Sequence, residues 1–89
     1  MIRHEITIIN KLGLHARAAA KFVSLASNFD SNIELECGEK IVNGKSILGV
    51  MMLAASKGTV IRLVATGSDE EEAAQKLSEL VEDRFGEES

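Results

Sequence analysis

The chain has 89 residues, 10 of them Lys or Arg and 14 Asp or Glu, for a net charge of −4 at pH 7. A chain this short has room for one domain, residues 1–89, and its acidic balance and lack of Tyr and Trp argue against a nucleic-acid binder, which shows a basic face and aromatic stacking surfaces. No apolar run approaches the ~20 residues that span a bilayer, Met1 to Glu5 does not open a signal peptide, and the lone Cys37 has no internal disulfide partner, so a cytoplasmic protein without membrane insertion is expected.

Ile2 to Ile9 is rich in β-branched residues and sets Ile2, Ile6 and Ile8 against Arg3, Glu5 and Thr7, which predicts a first strand. Asn10 to Leu14 reads as a loop in which Gly13 can take a positive φ at no steric cost. A helix follows from about Ala16 to Asn28, with Ala19, Phe22, Val23 and Ala26 at the spacing of a buried stripe. Asp30-Ser31-Asn32 is a turn. Ile33, Leu35 and Cys37 then alternate with Glu34 and Glu36 as a second strand, where Cys37 reads as a small buried hydrophobe.

Gly38-Glu39 turns into a short third strand, Lys40-Ile41-Val42. Ser46 is placed as the N-cap of a brief helix from Ile47 to about Leu53 that is apolar all round. Thr59 to Thr66 is a fourth strand with Ile61, Leu63 and Ala65 on one face. Ser68 to Glu71 matches a capping box, Ser at the N-cap and Glu at N3, opening a last helix that buries Ala73, Ala74, Leu77, Leu80, Val81 and Phe85. Gly86-Glu87-Glu88-Ser89 is expected as a frayed tail. The order β-α-β-β-α-β-α places the chain in the α/β (α+β) class, one sheet with all helices on one side and the other face largely solvated.

The chemistry concentrates at the start of the first helix, where His15 is followed by Arg17. An imidazole attacks phosphorus only when a ring nitrogen is unprotonated, and the positive end of a helix disfavours the imidazolium. The same helix start then holds the attached phosphate, through the N–H groups of Ala16, Arg17 and Ala18, while the Arg17 guanidinium adds a fork of donors. Nothing at a suitable spacing completes a metal site or a catalytic triad, so neither metal nor cofactor is expected. An ordinary strand-to-helix turn is the competing reading of the same residues.

Gly13-Leu14-His15-Ala16-Arg17, followed by Asn43-Gly44-Lys45-Ser46-Ile47 and then Lys57-Gly58-Thr59, closely resembles the HPr family over nearly the whole chain. These are the histidine-containing phosphocarriers of the bacterial phosphoenolpyruvate-dependent sugar phosphotransferase system. The resemblance implies an open-faced sandwich, a four-stranded antiparallel sheet in the order 1-4-2-3 covered by three helices. It implies that His15 takes a phosphoryl group on Nδ1 from enzyme I and passes it to enzyme IIA, with Arg17 supporting the phosphate. The chain departs from the family at Ala18, where most members carry proline, and at Leu12, where many carry a polar residue.

Ser46 aligns with the serine that HPr kinase/phosphorylase modifies in some of the family, and a plain N-cap is the alternative at that position. Ile47, Leu48 and Met51 cannot all face inward from so short a helix and are read as a docking patch, with Val50 or Leu53 left to the core. The expected protein is a monomeric carrier rather than an enzyme. Two other readings compete: an HPr-like regulator that binds partners without feeding sugar transport, and a small acylphosphatase-like α/β domain.

Overall fold

The computed structural model describes residues 1–89. The strands are β1 (Ile2–Thr7), β2 (Asn32–Cys37), β3 (Lys40–Asn43) and β4 (Val60–Thr66), and the helices are α1 (Ala16–Ala26), α2 (Ile47–Met52) and α3 (Glu70–Glu82), followed by a 3-10 turn at Arg84–Gly86. The strands form one antiparallel sheet in the order β1-β4-β2-β3. β1 stops two residues short of the predicted end, although Ile8 still bonds the chain just before β4, its N–H to the Thr59 carbonyl and its carbonyl to the Gly58 N–H. α1 also ends early, because Asn28 and Phe29 bond back only three residues and tighten the last turn.

Alternation along β4 turns Ile61, Leu63 and Ala65 toward the helices, where they meet Ile6 and Ile8 from the β1 segment and Ile33 and Leu35 of β2. α1 contributes Ala18, Ala19, Phe22 and Ala26 to this core, α2 contributes Val50, and α3 contributes Ala73, Ala74, Leu77 and Val81. Val23 and Leu80, expected in the core, pack half-buried at its margin, and Ala18 is enclosed instead. Cys37 is likewise half-buried.

The outer face of the sheet is wet except at Val64, which is buried. Its lateral neighbours are Arg3 on β1 and Glu34 on β2, long side chains whose aliphatic stems can cover a central-strand valine.

The predicted capping box at α3 does not form. Asp69 is the N-cap, but its side chain caps nothing on its own helix. Instead its carboxylate accepts the Asp30 N–H (2.8 Å), the Ser31 N–H (2.9 Å) and the Ser31 hydroxyl, tying the entry of α3 to the turn before β2. Glu70 supplies the reach-back bond, accepting the Gly67 N–H at 3.1 Å.

The Ser31 hydroxyl first, and the Asp30 N–H next, hold the Asp69 carboxyl below its ordinary value of 3.8. A carboxyl lowered in the folded state stabilises the fold above the unfolded value and loses that contribution as pH falls through the folded one. Asp69→Asn is therefore expected to unfold at lower urea than the parent chain at pH 7, with the gap closing below pH ~3.8. Urea midpoints at pH 7 and pH 3 measure this, and an equal gap at both would show that the carboxylate charge is not what matters.

Candidate functional site

Between β1 and α1 the chain makes a turn that closes when the Gly13 N–H bonds the Asn10 carbonyl (3.2 Å) and the Leu14 N–H bonds the Ala55 carbonyl (2.9 Å). Gly13 sits at φ +69°, and a Cβ there would lie 2.5 Å from the Ala55 oxygen, so glycine alone fits this approach. Leu14 is buried behind the turn, and His15 follows as the N-cap of α1 in extended backbone.

N-caps are ordinarily Ser, Thr, Asp or Asn, whose oxygen accepts an early helix N–H. Here the ring does so: His15 Nδ1 accepts the Arg17 N–H at 3.3 Å, while the Ala19 N–H makes the first helical bond to the His15 carbonyl (2.8 Å). On its other side the ring meets a carboxylate, His15 Nε2 lying 2.5 Å from Glu87 Oε2. In the neutral ring these two contacts select one tautomer, in which Nδ1 is an unprotonated acceptor and Nε2 carries the proton toward Glu87.

Glu87 is the residue that sequence reasoning missed, for it belongs to the stretch expected to fray. Its other oxygen accepts the Asn10 side-chain N–H (3.0 Å), and the same amide donates to the Gly13 carbonyl at 2.8 Å. With acceptors on both contacts, the NH2 end of Asn10 must face them, which leaves its buried Oδ1 without a protein partner. Burial alone would raise the Glu87 carboxyl, but the hydrogen bonds from Asn10 and His15 outweigh it, with attraction to the His15 ring when it is protonated and to Lys21 adding to them, and hold the group below its usual value. No local pattern announces this contact, since 72 residues separate His15 from Glu87.

A recess of about 630 Å³ opens at this point, lined by Lys11, Leu12, His15, Ala16, Arg17 and Glu87, with Ser89 at the rim. The Arg17 guanidinium is exposed and makes no bond within the chain, and the Ala16 and Arg17 amides lie in the same first turn as that of Ala18, whose methyl enters the core. Leu12, at one of the two positions where the chain departs from the family it resembles, is 67% exposed. A larger groove of about 950 Å³ between β1 and α3 is lined by Glu5, Glu71, Glu79 and Glu82 among others, carboxylates that repel an anion.

Ser46 caps α2, its Oγ accepting the Gly49 N–H at 3.0 Å. Of the predicted docking residues, Ile47 is 44%, Leu48 74% and Met51 37% exposed, while both Val50 and Leu53 are buried. Met52, at 70%, extends this apolar surface further than expected, on a helix packed against α1.

An open-faced sandwich that presents one imidazole lone pair beside helix-start N–H groups is the arrangement expected of a protein of the phosphocarrier class. The family model described as the PTS HPr component phosphorylation site matches residues 2–83. Phosphocarrier protein HPr of Xylella fastidiosa is 57% identical over 89 residues, the full length of both chains. A solved HPr of Thermoanaerobacter tengcongensis superposes with a TM-score of 0.96 at 53% identity, covering all of both chains. A structure of an HPr dimer from the same organism gives 0.79 at 53%, over 98% of this chain and 100% of that one. The chain belongs to the HPr family, the phosphocarriers of the phosphotransferase system.

Proposed function

We propose that His15 Nδ1 accepts a phosphoryl group from phosphorylated enzyme I and hands it to an enzyme IIA domain. The observation that supports this best is the hydrogen bonding of the ring, whose Nδ1 lone pair faces the first turn of α1 while the proton sits on Nε2. That lone pair forms the new N–P bond as the donor's bond to phosphorus breaks and its electron pair returns to the donor. No general base is needed, because Nδ1 carries no proton to remove.

The Arg17 N–H then moves from the ring nitrogen to a phosphate oxygen, joined by the Ala16 and Ala18 N–H groups and by the unengaged Arg17 guanidinium. Ile47, Leu48 and Met51 are the surface on which partners dock. Ser46 is a second acceptor, for HPr kinase/phosphorylase: its phosphate would replace a neutral cap by about two negative charges beside that surface. In this reading the protein acts in the cytoplasm as a single-domain carrier, not an enzyme, and as a monomer.

With enzyme I and labelled phosphoenolpyruvate, the chain is expected to gain an acid-labile, alkali-stable label and to sediment at the mass of one chain. His15→Ala should stay unlabelled, and label retained in it would refute the proposal. With ATP and the kinase, label is expected in the parent chain and absent from Ser46→Ala, and equal labelling would remove Ser46 from the scheme.

A further inference from the structure

We propose that Glu87 is a positioning residue for His15, held by a fastened C-terminal strap so that one proton stays on Nε2 through both halves of the transfer cycle. This rests on His15 being the phosphoryl acceptor. The competing role is purely mechanical, a tail tied down to the active loop.

The strap departs from α3 through three successive left-handed residues, Arg84 (φ 56°), Phe85 (φ 55°) and Gly86 (φ 78°). Two of them are not glycine, so surrounding contacts must hold the turn. Phe85 is fully enclosed in the core, and its carbonyl accepts a 2.7 Å bond from Lys21 Nζ on α1. Past the carboxylate, the Lys11 N–H bonds the Ser89 carbonyl at 2.9 Å. Glu87 is thus fixed by backbone contacts on both sides, and Asn10 orients its second oxygen at the expense of an unpaired Oδ1. A tail tied down for its own sake would have no need to aim a carboxylate at a ring nitrogen.

That aim serves two chemical steps. On acceptance, a proton on Nε2 leaves the Nδ1 lone pair free to form the N–P bond. On donation, the N–P bond breaks with its electron pair returning to Nδ1, and the retained Nε2 proton makes the leaving group neutral imidazole rather than imidazolate. A carboxylate at Nε2 favours the protonated nitrogen in both steps and touches neither phosphorus nor the docking surface.

The ring tautomer can be read directly from the 15N shifts of His15 at neutral pH, alongside kcat and KM for phosphorylation by enzyme I. The parent chain is expected to show the Nε2–H form. Glu87→Ala should give averaged shifts of mixed tautomers and a kcat lowered roughly 10- to 100-fold, with KM changed by less than about twofold. Glu87→Gln, whose carbonyl can still accept from Nε2, should recover the parent shifts and part of the rate. Parent-like shifts and rate in Glu87→Ala would overturn the proposal and leave the mechanical role. The two readings fail differently, because the shifts report the tautomer even if no label ever reached His15.

Discussion

Gly13→Ala is expected to lower stability by about 2–4 kcal/mol and to displace His15 from its place at the start of α1. Two effects add. The left-handed φ of +69° costs a residue with a Cβ about 1–2 kcal/mol. The new methyl would also lie 2.5 Å from the Ala55 oxygen and 2.9 Å from the Ser56 Cα, backbone atoms that cannot swing aside. Moving apart breaks the Leu14 to Ala55 hydrogen bond, worth about 1 kcal/mol.

For a domain of this size such a loss lowers Tm by roughly 10–30 °C. Gly58→Ala is the control, since Gly58 also has a positive φ (+92°) but nothing within 4 Å of its added Cβ. It should show the strain alone, about 1–2 kcal/mol. Equal Tm losses in the two variants would mean that the close approach of the loop to Ala55 is not what holds it.

Strand alternation and the buried stripe of α1 were legible in the sequence because they are local: Ile61, Leu63 and Ala65 face inward whatever the strand pairs with. The order β1-β4-β2-β3 came through family resemblance, since alternation assigns a face and not a neighbour. The same limit explains the failed capping box. Ser68 and Glu71 satisfy the local pattern, but the turn before β2 arrives within reach and claims the Asp69 carboxylate. The outward face of α2 followed from counting, as six residues cannot bury every apolar side chain.

At the candidate site, spacing and resemblance together single out His15 and Arg17. They do not single out Asn10 and Glu87, because each matters through the other and the tail turns back through left-handed positions at Arg84 and Phe85, residue types that give no turn signal.

Phe85→Ala is expected to lower stability by about 3–5 kcal/mol, the range for emptying a fully enclosed ring site. The backbone adds a second, separable effect. Alanine at φ 55° keeps the left-handed strain, whereas glycine adopts that conformation freely. Phe85→Gly should therefore unfold at higher urea than Phe85→Ala, by about 1 kcal/mol, reversing the usual order of Ala over Gly.

Both variants also remove the anchor that keeps the strap down, so the Gly86 and Glu87 amides, bonded to Asp83 (3.0 Å) and Arg84 (2.9 Å), should exchange with solvent well before global unfolding. With Glu87 present but no longer held at Nε2, phosphorylation by enzyme I should slow as it does in Glu87→Ala. A Phe85→Ala chain that loses stability yet keeps the parent rate would separate the core role of the ring from any control of His15, and would show that the carboxylate finds the imidazole without the turn.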